Sequence, residues 1–517
     1  MTTTNGNTKA ASDPFSGDSP KVFTSPQGSF YGTDSSTVTD INSGLPVLPG
    51  TIPPQHLYRT LVLCFDGTGD QFDADNSNIV EFFSMLKKDD REHQMVYYQA
   101  GIGTYTNPEI ATPLMAKISK TLDEAVAWNL NAHVMEGYEF LMQNYKAGDR
   151  ICMFGFSRGA YTARALAGMI HKVGLLPACN HQQIPFAYKM FTTTDEIGWK
   201  QSNIFKKTFS VDVKIEFLGV WDTVNSVGLI PRRLPFTTSN TIVHYFRHAV
   251  ALDERRSKFK ANHWNRPTTE EETLGTDGQK HTRGHGKHSK ESKKHALKTM
   301  ERQYSEEEER PTDIEEVWFA GCHCDIGGGS VDNDVPHTLA RIPLRWMIRE
   351  CFKAKTGILF MVDSLRKIGL EPVTLYPTVL ERPAALAIGD SRICHIPKAP
   401  LPIVPASPEA PLKTEEEHEL LDALSPIYDQ MTLAPLWWIL ELIPVKQEKQ
   451  NDDNTWERGY ICNMGQGRKI RKQKKKIVKV HRSVKTRMEA QYPDGTKYQP
   501  KASFEKAIAA GNLVWVD

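Results

Sequence analysis

The chain has 517 residues, 39% of them hydrophobic and 24% charged, with a formal net charge of +1. That length exceeds one ordinary core, so one large domain with added segments is expected. The charge balance argues against a chain devoted to nucleic acid, which would carry a global basic excess, and the apolar share argues against full-length disorder. The eight cysteines are scattered, most of them in apolar runs such as those of Cys64, Cys152 and Cys351. They do not form a secreted disulfide framework, so a reducing, cytoplasmic location is expected. The N-terminus lacks the basic and apolar regions of a signal peptide. No run reaches the ~18–20 apolar residues of a spanning helix.

Residues 1–57 are rich in Ser, Thr, Gly, Pro and Asp and read as a disordered segment. Order begins with the buried-strand pattern Tyr58–Phe65, which ends in the turn Asp66-Gly67-Thr68-Gly69. Asn78–Lys87 has helical spacing, and Gln94–Gln99 reads as a second strand. A longer helical region covers about Leu114–Asn144. The apolar strand Asp149–Gly155 then runs through a tight turn into a helix over Ala160–Lys172. Val213–Trp221 and Glu316–Ala320 are further buried strands, ending at Asp222 and at Gly321-Cys322-His323. Strands alternating with helices predict an α/β fold, a mostly parallel sheet flanked by helices. Thr268–Arg310 lacks apolar periodicity and reads as a flexible, solvated insertion, although its histidines (His281, His285, His288, His295) could bind metal adventitiously. The amphipathic helix Arg341–Lys355 closes a domain spanning 58–355, and 356–517 reads as a C-terminal extension or lid-like lobe. Within it, Leu433–Pro444 is too short to span a membrane and fits a buried helix better than a membrane-surface one.

Gly155-Phe156-Ser157-Arg158-Gly159 matches G-x-S-x-G, with a strand before it and a helix after it. Such a serine projects from a sharp turn at the strand end, and the flanking Gly155 and Gly159 leave room for strand and helix to approach. The helix N-terminus favours developing negative charge, which makes the Arg158 amide a natural oxyanion donor. A serine alcohol needs a base, and the base needs an acid to orient it. Asp222 and His323 supply both in the chain order of α/β-hydrolases, at strand ends on the rim that carries Ser157. The plainer readings are an Asx turn at Asp222 and a packed histidine at His323. Asp325 is a rival acid or a loop pin, and Cys322-His323-Cys324 without a second cysteine pair is a weak zinc signal, so no metal is assigned. The second oxyanion amide is expected from Gly67 or Thr68, on a loop pinned by Asp66.

These strings, with NIVEFF (78–83), YYQAGIGT (97–104), HAVALDERRSKF (248–259) and IPLRWMIRE (342–350), cover most of residues 58–350. In them the chain resembles the uncharacterised α/β-hydrolase domain family, abundant in fungi, that includes the bacterial type VI secretion phospholipase effectors of the first lipase class. The resemblance implies a Ser157–Asp222–His323 triad, no cofactor, and hydrolysis of carboxylic esters, with phospholipid or other lipid esters as the substrate class. Asp253-Glu254-Arg255-Arg256 belongs to the same pattern and reads as an ion-pair cluster or a support for the loop of Asp222. The alternatives are an inactive scaffold on the same fold and a metal-dependent hydrolase using His323, Asp325 and a cysteine. The basic run Arg468–Arg482 reads as a solvated face, a nuclear import signal, or a peripheral contact with an anionic membrane.

Overall fold

The computed structural model describes residues 49–68, 70–101, 130–224, 234–265, 297, 300–301, 304, 311–389, 395–399, 413–450, 456–470, 477–503 and 511–517. The readings made above for 1–48, Gly69, 102–129, 268–296 and 471–476 lie outside them.

Eight strands form the central sheet: β1 (Thr60–Phe65), β2 (Gln94–Gln99), β3 (Arg150–Phe156), β4 (Ile215–Trp221), β5 (Val243–Ala251), β6 (Asp313–Phe319), β7 (Val478–His481) and β8 (Leu513–Val516). Their spatial order is β8-β7-β6-β5-β4-β3-β1-β2, and every pairing is parallel. Val62, Cys64, Cys152 and Phe154 pack into a first core, while Leu61, Leu63, Ile151 and Met153 pack into a second. Both sheet faces are therefore buried, which is why these strands are apolar at successive positions. Strand order reverses between β1 and β3, and a crevice forms beyond the carboxyl ends of strands at such a point.

Helix α1 (Asn78–Ser84) lies with the first core, beside α2 (Arg341–Lys353). Helix α3 (Ser157–Val173) lies in the second core and is buried along its whole length. It meets β3 and β1 at very close range. A Cβ on Gly155 would stand 2.6 Å from the Ala160 backbone, and one on Gly159 would stand 2.3 Å from the carbonyl oxygens of Phe65 and Asp66. The two glycines of the motif are thus required by backbone crowding.

Three expectations for the periphery change. First, the chain beyond 355 extends the same sheet, because Lys479 and Val480 of β7 pair with Val317 and Trp318 of β6. A four-residue strand beside a run of lysines carries too little apolar pattern to be read from sequence. Second, the last part of the supposed flexible insertion is anchored. Leu297 is buried, Glu301 accepts the Phe236 amide proton at 2.7 Å, and Tyr304 stacks on Trp199. Third, Leu433–Pro444 is not a buried helix. Pro435 separates short helices at Gln430–Leu433 and Trp437–Glu441. Glu441 points inward, where it accepts protons from the amides of Ser257 (2.5 Å) and Gly465 (3.1 Å) and from Asn463 (2.8 Å). With the charged residue anchored inside, Leu433, Leu436, Ile439, Leu442 and Ile443 face outward, each between 47% and 65% exposed. Among the described residues no helix is long and apolar enough to cross a membrane.

Gly159→Ala is expected to destabilise the fold by about 3 kcal/mol, because the new methyl meets the carbonyl oxygens of Phe65, the last residue of β1, and of Asp66 next to it, which cannot move independently. Urea unfolding of the variant against the parent measures it. An unchanged midpoint would contradict this packing.

Candidate active site

Ser157 follows the last residue of β3 and opens α3 with φ of +57°. A non-glycine residue in the left-handed region is strained, and here the strain turns the chain from strand to helix within one residue. Asp222 follows β4 directly, also at positive φ (+41°). His323 lies four residues past the end of β6 and begins the short helix α4 (His323–Gly327). All three stand at the carboxyl ends of adjacent or near-adjacent strands.

The structure brings them into one hydrogen-bonded line. His323 Nδ1 lies 2.6 Å from Asp222 Oδ2, and His323 Nε2 lies 2.8 Å from Ser157 Oγ. An ionised carboxylate only accepts, so Nδ1 carries the proton and Nε2 is left to accept from the serine hydroxyl. Phe156 and Phe259 flank the imidazole, with ring centroids 4.7 and 4.8 Å away. Burial lowers the His323 pKa, and Asp222 offsets that only in part. The ring is therefore neutral, and able to accept a proton, at neutral pH and below the ordinary imidazole value. Burial pushes the Asp222 carboxyl up, but Arg468 and His323 outweigh it and hold it well below the usual carboxylate range.

The supporting residues divide. Asp66, at the end of β1, accepts from Ser77 Oγ (2.6 Å), Tyr98 Oη (2.8 Å) and the Gly67 amide (2.8 Å), so it fastens its loop. The Gly67 amide is thereby committed and is withdrawn as an oxyanion donor. Thr68 remains, with its Oγ1 buried and without a hydrogen-bond partner among the described residues. The Arg158 amide lies in the first turn of α3, next to the serine. Asp325 does not bond His323. Its Oδ2 accepts the amides of Cys322 (2.8 Å) and Tyr428 (3.1 Å), capping α4, while burial raises its pKa to about 7. Gly327, in the triple-glycine run, backs onto the Phe156 ring, where a Cβ would fall 1.9 Å from a ring carbon.

The acidic-basic cluster also fastens the approach to His323. Glu254 accepts from Arg256 and, at 3.3 Å, from the His323 amide. Asp253 accepts the Gly321 amide at 2.7 Å, and Arg255 pairs with Asp429. His481 stacks on Phe319 and bonds Ser483, away from Ser157. His248, His263 and Glu316 gather metal-ligand types, yet both imidazole Nδ1 atoms face the same Glu316 oxygen, which also takes the Trp264 amide proton. These contacts make a hydrogen-bonded knot around one carboxylate.

The basic run holds the residue that sequence reasoning misplaced. Arg468 is buried, and its guanidinium grips both oxygens of Asp222, at 2.5 Å (Nη1–Oδ1) and 2.8 Å (Nη2–Oδ2). Lys479 pairs with Glu315, and Arg482 with Glu419. The ends of this run therefore serve the fold, and they are not the free cationic face expected from sequence. No sequence signal links Arg468 to Asp222, which lies 246 positions earlier.

An uncharacterised protein of Saccharomyces cerevisiae, YEL023C, is 26% identical over 525 residues, covering 80% of this chain and 77% of its own length. A crystal structure of an uncharacterised Pseudomonas aeruginosa protein is 16% identical, with a TM-score of 0.32 over 62% of this chain and 49% of that one. The Tle1 effector bound to the VgrG spike of the type VI secretion system is 18% identical, with a TM-score of 0.26 over 57% of this chain and 56% of that one. The chain thus spans about half the length of these two solved chains. The profile of the type VI secretion phospholipase effector Tle1-like catalytic domain matches residues 59–350, more than half of the sequence, and the chain belongs to that family.

Proposed function

We propose that the protein is a serine hydrolase of carboxylic esters, acting on phospholipids or related lipid esters through an acyl-enzyme. The observation that carries this reading is the unbroken line Ser157–His323–Asp222 at 2.8 and 2.6 Å. Ser157 Oγ attacks the ester carbonyl as His323 Nε2 takes its proton, and Asp222 stabilises the imidazolium that forms. The amides of Arg158 and Thr68 receive the oxyanion. His323 then delivers the proton to the leaving alcohol and activates water, which releases the acid and restores Ser157. None of these steps calls for a metal or an organic cofactor.

Two observations support a lipid as the substrate. The matched family is described by phospholipase effectors. The outward stripe of Leu436, Ile439 and Leu442 also stands close to the triad, because Trp437 in the same short helix packs on Phe259, and Phe259 packs on His323. An exposed apolar patch of this kind marks a contact surface, and an ester embedded in a bilayer gives it a use.

On mixed phosphatidylcholine–phosphatidylglycerol vesicles, the protein should release fatty acid, and Ser157→Ala should lower the rate by ~10³-fold or more. Undiminished release by the variant would refute the triad, and no release of any ester acid by the parent would favour the inactive scaffold. Ile439→Asp should lower vesicle hydrolysis while leaving hydrolysis of a short, water-soluble ester unchanged. Equal loss on both substrates would remove the lipid-facing role of the stripe. The acid limb of kcat/KM should lie below the ordinary imidazole value of ~6.5, because burial lowers the His323 pKa.

A further inference from the structure

The segment beyond the family-matched region reaches Asp222 through Arg468. Arg468 lies 118 positions past the end of the match at residue 350. Its Nη1 donates to Asp222 Oδ1 (2.5 Å) and to the Ala251 carbonyl (3.1 Å), and its Nη2 donates to Asp222 Oδ2 (2.8 Å) and to the Phe259 carbonyl (2.6 Å). One side chain therefore ties together the triad acid, the end of β5 and the residue whose ring flanks His323. The fork geometry of a guanidinium matches a carboxylate, which a lysine cannot reproduce.

We propose that Arg468 is a positioning residue, clamping both oxygens of Asp222 so that the carboxylate presents Oδ2 to His323. The proposal rests on the serine-hydrolase reading above. Asp222 has no exposed surface, and besides Arg468 its carboxylate takes only the His323 proton and the Ala251 amide at 3.0 Å among the contacts described. Without the clamp, two donors would serve a fully buried carboxylate, which could rotate about its Cβ–Cγ bond or take up a proton. Either change leaves the imidazole without a fixed tautomer. The site is then completed from outside the stretch that identifies the family.

The charge of Arg468 also sets a pH effect with a definite sign. The Asp222–His323 pair is faced by Arg468, by Glu254 on the His323 amide, by Arg256 on Glu254, and by His248, whose Nε2 accepts the Thr223 amide proton. Replacing Arg468 alone removes one positive charge and leaves the rest. The pair then binds a proton more readily, whichever member holds it, so the acid limb of activity moves to higher pH.

The test uses the full chain with Arg468→Met and Arg468→Lys. The rate of Ser157 labelling by a fluorophosphonate and the hydrolysis of a soluble ester are followed against pH, and thermal midpoints are recorded alongside. Arg468→Met should lower kcat at neutral pH by ~10²-fold and raise the acid limb by about 1–3 pH units. Arg468→Lys should restore the position of the limb, because it keeps the charge, and recover only part of the rate. If the Met variant does not fold, the Lys variant alone decides: a parental rate would remove the need for the fork. A folded Met variant with a parental rate and limb would overturn the proposal while leaving the hydrolase reading intact. A parent inert to probe and ester would overturn the hydrolase reading, and the role of Arg468 with it.

Discussion

A carboxylate with no exposed surface must be compensated where it lies, and Asp222 is such a group. Moving it from water into the protein interior is costly, and only close, well-aligned partners offset that cost. Here the partners come from three parts of the chain: His323 after β6, the Ala251 amide at the end of β5, and Arg468 far toward the C-terminus. Any arrangement that buries Asp222 must therefore bring these parts together. The fold and the candidate site share this constraint.

The parallel sheet makes that convergence possible. Parallel strands deliver their carboxyl ends to one rim, so Asp66, Ser157, Asp222 and Ala251 arrive there from β1, β3, β4 and β5 without long excursions. The tight crossing of α3 over β1 and β3 holds the serine in its strained turn, and Gly155 and Gly159 permit the crossing. The third layer of support is the cluster Asp253–Arg256, which fastens the approach to His323 through Gly321 and the His323 amide. Strain at Ser157 and burial at Asp222 thus persist because the surrounding backbone is fixed on several sides.

Much of this was legible in the residues. The apolar runs of β1, β3 and β4 stand out because both faces are buried, and G-x-S-x-G carries its own requirement for a strand before and a helix after. Asp222 and His323 could be proposed because each follows such a run. The features that residue order does not display have common physical causes. β7 is four residues long and partly charged, so its place in the sheet depends on pairing with β6 and not on its own pattern. Arg468 sits in a run of basic residues that composition assigns to solvent, and only the fold shows it paired with Asp222. The Gly67 amide is taken by the side chain of Asp66, a fold-back that residue order does not display. The inverted helix at Trp437–Glu441, with its glutamate inside and with Ile439 and the flanking Leu436 and Leu442 outside, defeats any reading based on hydropathy alone.

The central claim is that Ser157 is activated by His323. Mass spectrometry of the intact protein after brief exposure to a fluorophosphonate at neutral pH tests it most directly, with a His323→Gln variant beside the parent. The account predicts a single adduct on the peptide carrying Ser157, absent or slowed by orders of magnitude in the variant. An adduct elsewhere, no adduct on the parent, or equal labelling of both proteins would contradict it.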